Sequence, residues 1–420
     1  MSLLKATLKM AEYAKPILLK IFPHQLLRNI KRRAIKQSYK KISSMHIEPF
    51  QREQFEDGIN LIGNVKSASG LGQSCRLVAS ELETCEFPYL IYQYNTLGEE
   101  NNREMQLVSN LSEELRYNIN LIHINPHELG LAFVQSDKRM WDYRYNIGFW
   151  LWELEEFPDE WLPCIQCLDE IWTPSEFISR TIRKKTDKPV ITIPYYVEAP
   201  ITRKYEREDF DLPVDKFLFL MMYDKNSMTE RKNPKAVLHA YQRAFQNNEP
   251  VGLVIKISNC NKNELQELKK ELKEYGNVYF VTDILNRDQV NSLIQCVDVV
   301  VSLHRAEGFG LVMAEAMLLG TPVIATNWSS NTEFMNKDVA CMVDYKLVEL
   351  ENDVGIFKKG NRWADADVEQ ASNYMRKLYE QPELCEKLSS KAKLYIEEML
   401  SMERARSLIC QRLMEIYKRG

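Results

Sequence analysis

Two glutamates in the segment Asp298–Met335 (DVVVSLHRAEGFGLVMAEAMLLGTPVIATNWSSNTEFM) have a spacing that suits ligand binding. The apolar run 299–303 predicts a strand and the residues from Leu311 onward predict a helix, which puts Glu307 in the loop between them and Glu315 inside the helix. Both carboxylates can then flank one ligand over the helix end, where they would accept hydrogen bonds from pairs of sugar hydroxyls. The alternatives are a helix-terminal charge for Glu307 and a solvated or salt-bridged acid for Glu315.

The loop between these glutamates is rich in glycine, which permits unusual dihedrals and close approach of a ligand. The backbone N–H groups of Gly308, Phe309, Gly310 and Leu311 would point out of the helix N-terminus. Such groups form an anion site of the kind that holds a diphosphate. We therefore predict that these four residues bind the anionic part of a ligand.

Apolar strands and helices alternate from about residue 55 onward. This alternation predicts an α/β fold of two Rossmann-like, doubly wound domains, at residues 55–200 and 215–395, with a ligand cleft between their strand ends. The segment Pro194–Pro213 is rich in proline and charge and is predicted to be the linker. Residues 396–420 are predicted to form a C-terminal helix that packs back on the first domain.

The N-terminal arm, residues 1–50, is basic and amphipathic. Residues 1–41 carry eleven Lys or Arg and one acid, against a net charge of −4 for all 420 residues. Apolar residues recur at helical spacing over 1–22, a pattern that suits an anionic membrane surface. A solvated helix packed on the body is the alternative, and nucleic acid is disfavoured by the acidic remainder. With neither an 18-residue apolar run nor a secretory pattern, we expect a cytoplasmic protein, peripheral at the inner face of the membrane.

The residues from Glu307 to Ala325 follow the pattern E-G-F-G-L-x-x-x-E-A-x-x-x-G-x-P-V-I-A. This pattern resembles the signature of family-4 retaining glycosyltransferases with the GT-B fold (glycosyl transferases group 1), of the type that builds bacterial surface glycans. Glu333 continues the match. The resemblance covers about residues 58–420 and is sharpest in the second domain.

The resemblance implies a role for each matching residue. Glu307 would contact the transferred sugar at the reaction centre, Glu315 the ribose hydroxyls, and Ile284, after the strand 278–281, the nucleobase. It also implies transfer of a hexose-type sugar from a UDP- or GDP-sugar to a glycan acceptor on the first domain, with retention and without a metal or other cofactor. The basic N-terminal arm suggests that the acceptor is lipid-linked. The alternatives are a nucleotide-sugar-binding scaffold and a non-transferring relative such as an epimerase.

Positive charge near the start of the second domain would neutralise the departing diphosphate. The motif TERKNP offers Arg231 and Lys232, of which Lys232 matches the family better. The Gly-Arg pair common in the family is missing, because residues 222–226 read MYDKN. Arg231, Lys225 and Lys256 therefore compete to supply the second positive charge.

Gly70 and Gly72 lie in the loop predicted between the first strand and a helix over Arg76–Leu82. There they would let backbone approach the donor or acceptor. A dinucleotide-binding fingerprint would require an acid about 20 residues further on. Residues 92–95 read YQYN and contain no acid. We therefore assign the two glycines to the donor site and disfavour a dinucleotide.

Histidines and tryptophans at strand ends of the first domain are further candidates. His127 lies beyond a predicted strand end and is preferred to His123 as a catalytic contact to the donor sugar. Trp150 and Trp152 suit either stacking against sugar or a packed wall. A structural role for a single histidine is the alternative.

Signals for a metal are weak. The D-x-D triplets at 209–211 and 365–367 do not follow apolar strands, and we treat them as chance. Of nine cysteines only Cys164 and Cys167 form a C-x-x-C, with no second pair at metal-site spacing. The sequence therefore predicts buried, reduced thiols and no metal.

Overall fold

A computed structural model describes residues 24–67, 69–94, 110–260, 262–272 and 275–418. The chain divides into two compact units. The first comprises Met1–Leu151, Glu156–Tyr195 and Ala405–Gly420, and the second comprises Trp152–Glu155 and Tyr196–Arg404. The amphipathic stretch predicted over residues 1–22 lies outside the described residues.

The first unit is built on a seven-stranded sheet in the order β3-β2-β1-β4-β5-β6-β7. All neighbouring strands are parallel. Its strands are β1 Glu56–Gly63, β2 Tyr89–Gln93, β3 Leu111–Ser112, β4 Tyr117–His123, β5 Tyr145–Phe149, β6 Glu170–Thr173 and β7 Val190–Thr192. Its helices are α1 His24–Ile42, α2 Gly70–Glu83, α3 Pro126–Gln135, α4 Leu162–Gln166 and α5 Glu176–Arg183.

The second unit has a six-stranded parallel sheet in the order β10-β9-β8-β11-β12-β13. Its strands are β8 Phe217–Asp224, β9 Val251–Ser258, β10 Val278–Val281, β11 Val299–Ser302, β12 Val323–Thr326 and β13 Cys341–Val343. An antiparallel hairpin adds β14 Tyr345–Glu349 and β15 Arg362–Ala366. The helices are α6 Thr229–Lys232, α7 Pro234–Ala244, α8 Lys262–Glu271, α9 Arg287–Cys296, α10 Leu311–Leu319, α11 Val368–Glu380 and α12 Pro382–Met399.

The last helix, α13 Met402–Tyr417, runs from the second unit into the first. Within the first unit, Arg412 forms a buried ion pair with Glu170 of β6. The Tyr417 hydroxyl accepts the N–H of Gly58 in β1 at 2.8 Å. These contacts attach the chain's last helix to the first sheet.

The predicted α/β class with two Rossmann-like parallel sheets is confirmed. One helix begins earlier than predicted: Gly70 and Gly72 lie in the first turn of α2 and not in a loop, because the Ser69 hydroxyl caps that turn by accepting the N–H of Gly72. Neither the β14–β15 hairpin nor α11 was predicted. Within the described part of the chain, no helix combines the length and apolar character needed to cross a bilayer.

Candidate functional site

Glu307 is the acceptor for two cations at the carboxyl edge of the second sheet. Its side chain is buried, and Lys232 donates a hydrogen bond to its Oε1. The Arg231 Nη1 lies 3.3 Å from its Oε2 and also donates to the Ala306 carbonyl at 2.8 Å. The structure therefore joins three residues that the sequence analysis had selected from two separate motifs.

The short helix α6 that carries both cations has left-handed backbone at each end. Met228 before it has φ 65° and Asn233 after it has φ 52°. The Asn233 amide donates to the Leu303 carbonyl at 3.0 Å, and the Arg305 N–H donates to the Arg231 carbonyl at 2.8 Å. These bonds fix α6 against the segment that follows β11, and so they position both cations beside Glu307.

The charges of this cluster are strongly coupled. Burial alone would raise the pKa of Glu307, but Lys232 and then Arg231 outweigh it and lower that pKa to about 2. Burial lowers the pKa of Lys232; the Glu307 carboxylate opposes this effect, and Arg231 adds to it. Glu307 is therefore a carboxylate over the whole physiological pH range and is held ready to accept hydrogen bonds.

The loop after β12 supports Glu307 from a second direction. The Ser329 hydroxyl accepts the Glu307 N–H at 3.0 Å, and Ser329 has an unusual backbone, with φ 74°. Next to it, Asn331 contacts Nε2 of His304 at 3.1 Å, and burial lowers the pKa of His304. Neither Ser329 nor His304 was predicted from sequence. His304 lies only three residues before Glu307, and that position was a signal for it.

The glycine-rich loop forms the N-terminus of α10. Gly310 caps the helix with φ 101°, and a Cβ at that position would lie 2.5 Å from the Met313 methyl. Phe309 is buried, with its ring centroid 5.1 Å from that of Phe334. Among the described residues, the N–H groups of Gly308, Gly310 and Leu311 donate no hydrogen bond. These donors can therefore bind an anion.

Glu315, inside α10, is held by an arginine that the sequence analysis did not predict. Its Oε1 lies 2.6 Å from Nη2 of Arg287 in α9, and its side chain is only 2% exposed. The same Arg287 nitrogen donates to Asn291 at 3.1 Å. Ile284 is 68% exposed in the segment between β10 and α9. Glu315 is therefore a fixed, salt-bridged acid, and Ile284 is available for contact.

The glycines predicted for the donor site have different surroundings. A Cβ at Gly72 would lie 2.2 Å from the Ser67 carbonyl oxygen, whereas nothing lies within 4 Å of a Cβ at Gly70. The chain's own backbone therefore requires glycine at 72. At Gly70 the open space leaves room for a ligand.

The two histidines that the sequence offered as candidates, His123 and His127, are both engaged in packing. His127 is half-buried near the start of α3, with its ring centroid 6.0 Å from that of Trp161, and its carbonyl accepts the Tyr39 hydroxyl at 3.2 Å. His123 is 2% exposed, and its Nε2 lies 2.7 Å from the Ser74 hydroxyl. Burial lowers the pKa of His123 to about 4. His127 belongs to the first unit and Glu307 to the second.

Trp150 and Trp152 are both fully buried. Trp150 stacks with Phe157 at 5.8 Å between ring centroids, and Trp152 packs on Phe357 at 5.4 Å. Of the two interpretations the sequence allowed, the structure therefore shows a packed wall and not an exposed surface for sugar stacking.

The aspartates of the two D-x-D triplets serve local structure. Asp365 pairs with Arg305 at 3.0 Å, and Asp367 caps α11. Asp209 accepts the N–H of Glu206, and Asp211 ends a 3-10 turn with φ 55°. No group of three or more His, Cys, Asp or Glu in the described ranges has the arrangement of a metal site.

Part of the second unit matches a known protein family. Residues 202–395 match the model of the family described as "Glycosyl transferases group 1". Over 157 residues the chain is 29% identical to the O-antigen biosynthesis glycosyltransferase WclY of Escherichia coli. That alignment covers 37% of this chain and 41% of WclY, less than half of either protein.

Solved structures of glycosyltransferases share the fold. HepE of Anabaena, solved with UDP and glucose, matches with a TM-score of 0.62 at 12% identity over 86% of this chain and 100% of that chain. Sucrose-phosphate synthase of Thermosynechococcus elongatus gives 0.63 at 14% identity over 87% and 100%. A TarM variant of S. aureus, solved with fondaparinux, alpha-GlcNAc-glycerol and UDP, gives 0.53 at 14% identity over 70% of this chain and 55% of that chain. Residues 202–395 therefore form a domain of the glycosyl transferases group 1 family, on a chain with the GT-B fold of these glycosyltransferases.

Proposed function

We propose that this protein is a retaining glycosyltransferase that moves a hexose-type sugar from a nucleotide-diphosphate sugar to a glycan or lipid-linked glycan. The observation that carries this proposal is the cluster of Glu307, Lys232 and Arg231. It lies beside the N–H hydrogen-bond donors at the N-terminus of α10. It presents a fixed carboxylate for sugar hydroxyls and positive charge for a diphosphate.

Each residue of the second unit has a role in this proposal. Glu307 accepts hydrogen bonds from the transferred sugar, and Glu315, oriented by Arg287, accepts from the ribose hydroxyls. Gly308, Gly310 and Leu311 donate N–H groups to phosphate or sugar oxygens, and Ile284 contacts the nucleobase. The acceptor binds the first unit. Within that unit, His127 stays the predicted catalytic contact to the donor sugar, and Gly70 stays a predicted donor contact.

The proposed chemistry requires charge stabilisation and no protein nucleophile. The acceptor hydroxyl attacks the anomeric carbon on the face that the diphosphate leaves, and its proton passes to a phosphate oxygen of the leaving group. Lys232 and the helix N-terminus stabilise the negative charge that develops on the diphosphate. With that charge met by fixed protein groups, we propose that no metal is needed.

A ligand screen followed by a turnover assay tests the proposed function. UDP-, GDP- and dTDP-sugars are added singly, and a donor at 100 times its Kd should stabilise the folded protein by about 2.7 kcal/mol. The donor that stabilises most is then incubated with acceptors, and release of its nucleoside diphosphate is measured. Binding without turnover on every acceptor would favour the scaffold alternative, and turnover into an isomerised donor would favour the epimerase.

We further propose that the N-terminal arm binds an anionic membrane surface at the inner face of the cytoplasmic membrane. In α1, Ser38, Tyr39 and Ile42 are buried. Among the side chains of this helix that the structure describes, the exposed basic ones are Arg32, Arg33, Lys36 and Lys40. Each basic residue near such a surface contributes about 1 kcal/mol.

A vesicle flotation assay tests the membrane contact. Replacing Arg32, Arg33, Lys36 and Lys40 with glutamate keeps the buried residues Ser38, Tyr39 and Ile42 intact. The wild type should float with phosphatidylglycerol vesicles and not with phosphatidylcholine vesicles, and the variant should float with neither. Equal flotation of both proteins would contradict the proposal.

A further inference from the structure

Lys256 is a buried lysine near the carboxyl end of β9. Only 2% of its surface is exposed to solvent. Within the described residues its ammonium makes a single hydrogen bond, to the Ser258 hydroxyl at 3.0 Å, and no carboxylate oxygen lies within 4 Å. Because an ammonium carries three donors, most of its bonding capacity is unused.

The pattern of the sheet places Lys256 on a definite face. Ile255 and Ile257 of β9 belong to the apolar cluster under α7 and α11. Since successive side chains alternate between faces, Lys256 points to the opposite face. Val301 and Leu303 belong to the same apolar cluster, so Ser302 and His304 share the face of Lys256.

The same edge of the sheet carries the Glu307 site. In the strand order β9-β8-β11, a single strand separates Lys256 from the segment that leads to His304 and Glu307. Lys256 lies opposite Met222 of β8, two residues before that strand ends. Two strand spacings, about 10 Å, therefore separate β9 from β11 at this edge.

The neighbouring acids leave the lysine without a close counter-charge. Asp224 accepts hydrogen bonds from the Asn259 amide at 3.0 Å and from the Asn226 N–H at 2.8 Å. Burial lowers the pKa of Lys256 to about 8, and the more distant Asp224 and Asp283 oppose this effect only in part. A buried cation of this kind is stabilised when an anion binds to it.

Arg231 is less free to serve as the second positive charge beside Lys232. Its guanidinium donates to the Ala306 and Ser227 carbonyls and pairs with Glu307. We propose that Lys256 supplies that second charge and contacts the diphosphate of the donor. This inference rests on the proposed function, since it names the group that holds the donor's phosphates.

Calorimetric titration of matched variants tests the proposal. UDP, GDP and dTDP are titrated into the wild type, and the tightest of them is used with its nucleoside. Lys256→Met should weaken the affinity for the diphosphate by about 10- to 100-fold, the effect of losing a charge-assisted hydrogen bond. Its affinity for the nucleoside should stay within about 2-fold of the wild type, because the nucleoside carries no phosphate.

Two variants with the same change of charge serve as controls. Lys216, just before β8 at the other end of the sheet, interacts with Asn277; Lys216→Met should bind the diphosphate as the wild type does. Lys225→Met tests the remaining competitor for the second charge; a loss of diphosphate affinity in this variant and not in Lys256→Met would overturn the inference. Wild-type affinity for the diphosphate in Lys256→Met would overturn the inference, and so would an equal loss of nucleoside and diphosphate affinity. If the wild type bound none of the three diphosphates, the proposed function would fail first.

Discussion

Lys232 donates a hydrogen bond to Glu307, although 75 positions separate the two residues in the chain. The bond joins the short helix after β8 to the loop after β11, two strands that are adjacent in the sheet. Because both groups are largely removed from water, each fixes the charge and position of the other. This pair is the centre of the proposed donor site.

Removing the Lys232 ammonium should lower turnover. In Lys232→Met, the developing charge on the diphosphate loses a preorganised partner, and kcat for nucleoside-diphosphate release should fall about 10²- to 10³-fold. The matched control is Lys235→Met, since Lys235 is exposed on α7 three positions further on. Equal kcat values for the two variants would contradict a role of Lys232 in the leaving step.

Arg287 should act through Glu315. Arg287→Met leaves the buried Glu315 carboxylate without its partner at 2.6 Å. We expect donor affinity to fall about 10-fold or more, because the buried carboxylate loses the partner that orients it. Isothermal titration with the donor measures this effect. In the double variant with Glu315→Gln, the loss from Arg287→Met should largely disappear, whereas additive losses would show that the two residues act independently.

Glu307 and Glu315 were predictable from sequence because both lie in one continuous motif, where strand, loop and helix have recognisable patterns. Arg287 was not, because it lies 28 positions before Glu315 on a helix with no distinguishing signal. Ser329 was missed for a similar reason: its role depends on an unusual backbone conformation that follows from tertiary packing. Contacts between separate elements depend on how the sheet brings those elements together. The spacing of residues within one segment of the sequence does not reveal them.

The two glycines of α2 offer a test that separates packing from ligand binding. Gly72→Ala should lower the free energy of unfolding by about 1–3 kcal/mol, because the new methyl would meet the Ser67 carbonyl. Gly70→Ala meets no neighbour and should leave stability unchanged or slightly raised. Chemical denaturation measures both. If Gly70 contacts a substrate, Gly70→Ala should also raise KM while the protein stays folded; an unchanged KM would remove Gly70 from the site.

The start of α2 also shows where prediction from sequence fails. Glycine is a poor helix former, so a segment with Gly70 and Gly72 favoured a loop. The Ser69 cap and the close approach of the Ser67 backbone outweigh that preference. The unpredicted β14–β15 hairpin has a comparable cause, since Arg305 from outside the hairpin donates to Asp365 and lies over the Trp363 ring. These long-range contacts do not appear in local periodicity.

His123 should make the first unit sensitive to acid. Its pKa is about 4 in the folded protein and 6.5 ordinarily, so the unfolded chain binds a proton first as pH falls. Its contribution to stability is therefore complete above about pH 6.5 and is lost between pH 6.5 and pH 4. At 1.36 kcal/mol per pKa unit, this loss is about 3 kcal/mol.

Unfolding measured between pH 7 and pH 4 tests this expectation. His123→Phe keeps an aromatic ring against Phe149 and should show a shallower decline of stability than the wild type. His239→Phe, which replaces an exposed histidine of α7, should decline as steeply as the wild type. An identical decline in the His123 variant would contradict the assignment.

Release of nucleoside diphosphate by Glu307→Gln tests the central claim most directly. The substitution keeps the size of the side chain and removes the charge that pairs with Lys232 and Arg231. The control is Glu349→Gln, which makes the same chemical change at an exposed position of β14. We expect the rate of Glu307→Gln to fall at least about 100-fold while the folded protein persists and the control stays near the wild type. A rate for Glu307→Gln equal to that of the control would contradict the assignment of this site.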